Sequence, residues 1–228
     1  MSQVVNLLER PVYGMAEVDN LLGLRGGTAR RWIDGYVRGG KSYPPVVREE
    51  ATGNLHVTWG EFVETRYLAA FRETGVPMIR LRPAIEKLRV KFNTKYPLAF
   101  AKPFTDGQDL VMKIQDEVGL ENPLRIFVVR SGQTVLSDRA GDYFRSVDFG
   151  DVTGSGAVRL RPVANNPVVI DPLRQHGAPV VRSVPTAVLV EMFRAGDGID
   201  TIAALYELST DDVSAAIRYE MTRGGNAA

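Results

Sequence analysis

Residues 15–36 constrain the fold most strongly, because their pattern predicts two short helices joined by a glycine-rich turn. Glycines at positions 23, 26 and 27 supply the backbone freedom that a sharp reversal of the chain requires. The second helix is predicted to begin with Thr28 as its N-cap. Its apolar residues recur at helical spacing and are expected to form the buried face: Ala29, Trp32, Ile33 and Tyr36. Two helices with a tight turn are the layout of a helix-turn-helix.

Basic residues on and around the second helix favour contact with a polyanion. Arg30 and Arg31 point away from the predicted buried face, where they could meet base edges or phosphates in a major groove. An ordinary helical hairpin with a solvated basic face is the alternative interpretation. The residues predicted to contact DNA are Arg25, Thr28, Arg30, Arg31, Arg38, Lys41 and Arg48.

A formal net charge of +1 conceals an uneven distribution of charge along the chain. Basic residues dominate segments 25–41 and 78–95, whereas acidic residues dominate segment 197–222. A nucleic acid is therefore expected to contact the N-terminal part and to avoid the C-terminal part.

The segment after the helix pair predicts a wing hairpin and two further helices. Residues 46–48 and 55–57 are short apolar runs around a Gly-Asn turn, which favours a hairpin. Thr58 and Glu61 form a capping-box pattern that opens a helix extending to Gly75. Another helix is predicted over residues 78–92, with Pro83 marking its true start or a kink.

The middle of the chain changes character and predicts a small antiparallel sheet. Short β-rich runs occur at residues 110–112, 124–129, 134–136, 158–160 and 168–170. Ser131, Gly132 and Gln133 favour a hairpin between two of them. Residues 150–156 are expected to form a loop and residues 162–172 a linker.

The C-terminal region predicts three short helices with an acidic surface. Pro185 suits a first turn, Gly196 a helix end, and Ser209 with Asp212 a cap of the last helix. Phosphates repel acidic surfaces, so this region is expected to contact a protein rather than DNA. The residues predicted for a dimer or partner interface are Phe193, Ile199, Ile202, Tyr206, Val213, Ile217 and Tyr219, and the last helix is also expected to bury Met221.

These patterns predict an α+β protein in three parts. Residues 1–96 are predicted to form a winged helix-turn-helix domain, residues 97–170 a β-rich middle domain with a linker, and residues 171–228 a three-helix domain. A homodimer is expected, because one recognition helix rarely supplies enough affinity for an operator.

The sequence gives little indication of a catalytic function. The chain has no cysteine, and His56 and His176 lie in separate predicted regions, so we expect no catalytic residue, metal site or cofactor. Four acidic residues, Asp138, Asp142, Asp148 and Asp151, are interpreted as solvated loop acids. Neither a signal-peptide pattern nor a long apolar run is present, so the default expectation is a cytoplasmic protein without a membrane partner.

Two parts of the chain resemble known domains. The motifs Asp171-Pro172-Leu173-Arg174, Phe193-Arg194-Ala195-Gly196-Asp197 and Tyr206-Glu207-Leu208 resemble a small trihelical antitoxin domain of unassigned biochemical function. The helix pair with Trp32 and the following basic segment resembles a MerR-type winged helix. Together the architecture is similar to large VapB-type antitoxins of mycobacteria.

That resemblance implies an antitoxin of a type II toxin–antitoxin system. Such a protein neutralises a VapC-type, PIN-like ribonuclease toxin by direct binding and represses its own operon. The long dimerisation helix and the effector-domain cysteines of MerR activators are not evident, so metal sensing is not carried over. A ligand-sensing MerR-like regulator, with the middle domain as its effector pocket, is the alternative.

Overall fold

The computed structural model describes residues 7–150, 156–163 and 165–225 and confirms a mixed α+β fold. Helices occur in every third of the chain, and strands lie between them. The helices are α1 Met15–Leu21, α2 Thr28–Asp34, α3 Trp59–Phe71, α4 Arg82–Phe92, α5 Gln108–Glu117, α6 Asp138–Ser146, α7 Thr186–Ala195, α8 Ile199–Tyr206 and α9 Thr210–Gly225. None of these described helices is both long and apolar enough to cross a membrane.

The strands of the described residues pair in antiparallel fashion. The strands are β1 Pro11–Gly14, β2 Tyr36–Arg38, β3 Lys41–Tyr43, β4 His56–Thr58, β5 Phe127–Arg130, β6 Gln133–Leu136, β7 Val147–Phe149, β8 Ala157–Leu160, β9 Val168–Ile170, β10 Pro179–Val181 and β11 Val184–Pro185. Three sheets have two strands each: β1 with β4, β2 with β3, and β5 with β6. The remaining strands form one sheet in the order β11-β10-β9-β8-β7.

The local signals around α3 and α4 are confirmed. Thr58 Oγ1 accepts a hydrogen bond from the Glu61 backbone N–H at 3.3 Å, and Glu61 Oε2 accepts one from Thr58 N–H at 2.9 Å. This reciprocal capping box starts α3 at Trp59. Pro83 lies in the first turn of α4, where its missing N–H leaves no helical hydrogen bond unmade.

The strand predicted at residues 110–112 is wrong, because these residues lie within α5. Val111 and Ile114 are buried three residues apart, which is helical spacing, and Gln115 is buried beside them. Its Oε1 accepts from the Ile126 N–H at 2.6 Å, and its amide donates to the Phe127 carbonyl at 3.1 Å. Gln115 therefore fixes the β5–β6 hairpin to α5. The hairpin predicted around residues 131–133 is confirmed, with its turn at residues 131–132, because Gln133 already lies in β6.

The predicted linker at residues 162–172 overlaps the strand predicted at residues 168–170, and the structure confirms the strand as β9. Strand β9 pairs with β8 on one side and with β10 on the other, so a single sheet continues across residue 170. Tyr13 adds a further connection, because its hydroxyl donates to the Gly177 carbonyl at 2.7 Å. The predicted domain boundaries at 96/97 and 170/171 stay predictions.

Two hydrophobic clusters form the core of the part of the chain that the structure describes. The larger includes buried residues from Leu8 to Ile170, so it joins the helix pair to the middle region. Its largest buried aromatic residue, Trp59, donates its indole N–H to the Ala157 carbonyl at 2.6 Å. The smaller cluster lies among the last three helices and the adjoining strands, between Val168 and Tyr219.

The C-terminal helices α7, α8 and α9 begin and end close to the predicted signals. Gly196 ends α7 with a positive φ, and Ser209 caps α9 by accepting from the Asp212 N–H at 3.0 Å. Pro185 immediately precedes α7 rather than lying inside its first turn. Met221, expected to face inward, is exposed on α9.

Candidate nucleic-acid interface

A buried carboxylate positions the second helix of the predicted helix-turn-helix. Asp19 of α1 is almost completely buried, and its two oxygens accept from the Gly27 and Ala29 backbone N–H groups, each at 2.7 Å. These N–H groups are unpaired within α2 because they lie at its N-terminus. Asp19 therefore caps α2 from the preceding helix and aligns the two helices.

The prediction that Thr28 is the N-cap is wrong. Gly27 occupies that position with φ of 78°, a left-handed conformation, and Thr28 is the first residue of α2. Thr28 Oγ1 instead accepts from the Arg31 guanidinium at 3.0 Å. The sequence predictions do not include Asp19. Its position between the apolar residues Val18 and Leu21, both buried in the structure, is nevertheless a signal of a paired buried carboxylate.

The buried face of α2 is narrower than predicted. Ala29 and Ile33 are fully buried, as expected, whereas Trp32 is half-buried. Tyr36 lies beyond the end of α2, in β2, and is exposed. Gly35 ends the helix with φ of 74°, and a Cβ there would lie 2.6 Å from the Tyr43 carbonyl oxygen. Only glycine therefore fits the passage from α2 into β2 without strain.

A short hairpin follows α2 directly. Strands β2 and β3 pair Tyr36 with Tyr43 and Arg38 with Lys41 around the turn residues Gly39 and Gly40. The Tyr36 and Tyr43 rings stack with centroids 4.6 Å apart and planes within 4° of parallel. The Lys41 ammonium lies 5.4 Å from the Tyr43 ring centroid, within cation–π distance.

The predicted wing at residues 46–48 and 55–57 is therefore wrong. Residues 46–48 form no strand, and β4 pairs with β1 instead. A Gly-Gly pair between alternating residues at 36–43 was the signal for the true hairpin.

Five cationic side chains project from the turn, α2 and the hairpin, and we call them the basic face: Arg25, Arg30, Arg31, Arg38 and Lys41. All five are exposed. In the described part of the chain, no carboxylate forms an ion pair with any of them. Their charge is thus available to an external anion.

Asp34, the acidic residue nearest in sequence, does not neutralise the basic face. Its carboxylate accepts from the Thr52 N–H at 2.7 Å and from the Arg48 guanidinium at 2.8 Å. Burial would raise the pKa of Asp34, but these hydrogen bonds, with one from Gly53, lower it overall. Asp34 is therefore a fixed anion that holds the following loop.

The prediction that Arg48 contacts DNA is wrong, because Arg48 is buried. Its guanidinium bonds Glu61 Oε1 at 2.8 Å, Asp34 Oδ1 at 2.8 Å and the His56 carbonyl at 2.8 Å. Two carboxylates surround one guanidinium, so these contacts satisfy it inside the protein. Through Asp34 of α2 and Glu61 of α3, Arg48 holds the adjoining loop 49–55 against both helices.

Four of the predicted C-terminal interface residues are also corrected. Ile202, Val213, Ile217 and Tyr219 are buried within the smaller cluster of their own chain. They pack α7, α8 and α9 together and do not face a partner. Ile199 and Tyr206 are half-buried, and Phe193 is exposed.

The acidic and histidine residues weighed for catalysis are dispersed. Asp138, Asp142 and Asp148 form ion pairs with Arg130, Arg145 and Arg161, respectively. Asp138 and Asp142 lie on α6 and Asp148 lies on β7, rather than in loops. Asp151 lies outside the described residues. His56 Nδ1 lies 3.3 Å from Asn54 Oδ1, and His176 is exposed elsewhere. No cluster of potential metal ligands occurs within residues 7–150, 156–163 and 165–225.

The fold defines a protein with an N-terminal helix-turn-helix domain. Residues 11–85 match the family described as "Putative DNA-binding HTH domain". Residues 168–219 match the family described as "Protein of unknown function (DUF433)".

Relatives of similar length occur in Mycobacterium tuberculosis (strain ATCC 25618 / H37Rv). The chain is 42% identical to "Uncharacterized protein Rv2308" over 223 residues, which is 95% of this chain and 92% of the relative. It is 29% identical to "Putative antitoxin VapB45" over 222 residues, covering 91% of this chain and 92% of that protein. The crystal structure of Rv2018 from M. tuberculosis superposes with a TM-score of 0.74 at 28% identity, covering 91% of this chain and 97% of that one. The chain belongs to the same protein family as Rv2308.

Proposed function

We propose that this protein is the antitoxin of a type II toxin–antitoxin system and that its basic face binds operator DNA. The observation that carries the DNA-binding part is the exposure of five unpaired cationic side chains around α2. A surface of this kind attracts phosphates, whose charge dominates protein–DNA affinity. Binding at the promoter of its own operon represses transcription.

The division of labour within the basic face follows from position. Arg30 and Arg31 lie on α2, the helix that enters the major groove in a helix-turn-helix complex. Arg38 and Lys41 lie beside the turn of the hairpin, from which they reach flanking phosphates. Arg25 lies in the turn before α2, with Thr28 beside it at the start of the helix, and both complete the proposed contact.

The antitoxin part is supported by the relative named "Putative antitoxin VapB45", which aligns over nearly the whole chain. By analogy the toxin is a PIN-like, VapC-type ribonuclease that this protein neutralises by direct binding in the cytoplasm. The C-terminal helices are the proposed partner and homodimer surface. Phe193, Ile199 and Tyr206 are the predicted interface residues that remain accessible there.

Operator binding is tested with a fluorescent duplex from the region upstream of the gene. Replacing two base-contacting arginines costs about 1–3 kcal/mol each, so Arg30→Ala with Arg31→Ala should weaken binding by about thirtyfold or more. The control is Lys113→Ala with Arg194→Ala, which removes the same charge from exposed positions outside the basic face. Equal affinity of both double variants would refute the assignment.

Toxin neutralisation is tested by co-expression with the neighbouring reading frame. That frame alone should arrest growth, and this protein should restore growth and co-purify with the toxin. If the frame is harmless, or if growth is not restored, the antitoxin part is wrong while the DNA-binding part stands on its own measurement.

A further inference from the structure

A cleft of about 570 Å³ opens between the helix pair, α3 and the C-terminal helix α9. Leu22 and Gly23 line it from the end of α1, Ala70 from α3, and Thr222 from α9. Val163, from the segment after β8, closes one side. The volume falls within the range of small-molecule sites, about 300–1,000 Å³. The alternative interpretation of the sequence, a ligand-sensing regulator, puts an effector pocket in the middle region, whereas this cleft joins the N-terminal and C-terminal helices.

Arg66 is the least expected residue of the cleft. It lies on α3 and is half-buried, yet its guanidinium has no hydrogen-bond or ion-pair partner among the described residues. Burial, and next the positive charge of Arg72, lower the pKa of Arg66, against the opposing influence of Tyr143 and Asp142. Asp142 is already paired with Arg145 at 2.5 Å. Partial burial of a cation in this state costs free energy unless an anion accompanies it.

Three further arginines line the same cleft. Arg223 is neutralised by Glu220 at 2.9 Å, and Arg72 donates only to the neutral Gly23 carbonyl at 2.6 Å. Arg218 is exposed, and no carboxylate of the described chain pairs with it.

Among the described residues that line the cleft, Glu73 is the acidic one. The three arginines that lack an ion pair (Arg66, Arg72 and Arg218), set against Glu73, leave two uncompensated positive charges. A dianion matches that charge, and guanidinium groups bind phosphate oxygens through charge-assisted hydrogen bonds.

We propose that this cleft binds a phosphate-bearing small molecule of up to nucleotide size. Arg66 and Arg72 approach the phosphate from the α3 side, and Arg218 approaches it from α9. The apolar wall that includes Leu22 and Val163 contacts the organic part of the ligand. Because opposite walls come from the two ends of the chain, the bound ligand links them and raises the melting temperature.

The test is isothermal titration of the full-length protein with inorganic pyrophosphate and, separately, with ATP. Each charge-assisted hydrogen bond lost should weaken binding about tenfold or more, so Arg66→Met and Arg218→Gln should both bind these probes more weakly. Arg194→Gln, an exposed arginine of α7 outside the cleft, should bind as the wild type does. Binding of ATP but not of pyrophosphate indicates a nucleotide ligand, and binding of both probes indicates that a simple phosphate compound is sufficient. Either result supports the proposal.

Two results would overturn the proposal. One is the absence of binding heat for both probes at about 1 mM, since weaker binding than this is not specific recognition. The other is unchanged affinity in both Arg66→Met and Arg218→Gln. Arg218 is exposed, so its variant keeps the test valid even if Arg66→Met fails to fold. Neither titration depends on operator DNA or on the toxin, so the outcome is independent of the proposed function.

Discussion

Replacing Asp19 by alanine should loosen the helix pair, because a single carboxylate caps α2 from α1. The substitution removes two hydrogen bonds of 2.7 Å and leaves the Gly27 and Ala29 N–H groups without their acceptors. Hydrogen bonds to a charged group contribute about 1.5–3 kcal/mol each, and Ala29 is fully buried, so water cannot replace its partner. We therefore expect Asp19→Ala to cost about 3 kcal/mol of unfolding free energy.

Asp19→Asn separates the hydrogen bonds from the volume of the side chain. The amide oxygen keeps one acceptor, but the amide N–H₂ meets the second N–H donor, so the expected cost is about 2 kcal/mol. Glu17→Ala is the matched control in the same helix, since Glu17 is exposed and accepts only from the Gly14 N–H at 3.3 Å. Its expected cost is below about 1 kcal/mol.

The assay for all three Asp19 and Glu17 variants is urea unfolding followed by tryptophan fluorescence, because Trp32 lies in α2 itself. Amide exchange at Gly27 and Ala29 should accelerate in the Asp19 variants and remain slow in Glu17→Ala. If Asp19→Ala unfolds within about 0.5 kcal/mol of the wild type, as most exposed substitutions do, the carboxylate does not hold α2.

Three further substitutions test other parts of the account. Burial raises the pKa of Glu64 from 4.5 to about 7, against a smaller lowering by Arg89, so the native state binds the extra proton and stability falls as pH rises between these values. At pH 8 the free energy of unfolding of Glu64→Gln in urea should therefore exceed that of the wild type by about 3 kcal/mol, and below pH about 4.5 the two values should be equal. The same dependence of stability on pH in both proteins would contradict this expectation. Gly35→Ala should lower the unfolding free energy by about 3 kcal/mol, but Gly26→Ala, where a Cβ meets nothing within 4 Å, should be nearly neutral. Arg48→Ala should cost about 3–5 kcal/mol in the same assay because it leaves buried carboxylates unpaired, and a cost as small as that of the exposed Arg38→Ala, about 0.5 kcal/mol, would contradict its structural role.

Local signals in the sequence predicted the elements whose stabilising contacts lie close along the chain. The capping box at Thr58 and Glu61, the hairpin turn at residues 131–132 and the Ser209 cap each join groups three residues apart or fewer. Such contacts are visible in a short window of sequence.

Contacts between distant residues were not predictable in this way. Strand β4 pairs with β1, more than forty residues earlier, so the apolar run at 55–57 was assigned to a local hairpin that does not exist. Helix α5 was mistaken for a strand because the run at 110–112 covers less than one helical turn.

For the candidate site, the sequence correctly predicts which helical residues are exposed, but it does not predict that Arg48 is buried. Arg30 and Arg31 are exposed as their helical positions indicate. Arg48 also looked like a surface cation, but its partners Glu61 and Asp34 lie thirteen and fourteen residues away, and only the folded chain brings them together. The same reason explains the buried Ile217, whose apolar side chain suits a core and an interface equally well.

The dependence of operator affinity on salt concentration shows whether the basic face binds DNA. Each phosphate neutralised by a cation contributes about −0.9 to the slope of log K against log salt concentration, so the three cations of the basic face outside α2, Arg25, Arg38 and Lys41, predict a slope of about −3 for one chain. Charge removal at the basic face, for example Arg38→Ala with Lys41→Ala, should reduce the steepness of that slope by about 2, while Lys113→Ala with Arg194→Ala should leave it unchanged. A wild-type slope near zero, or the same slope in both double variants, would show that the basic face does not bind DNA.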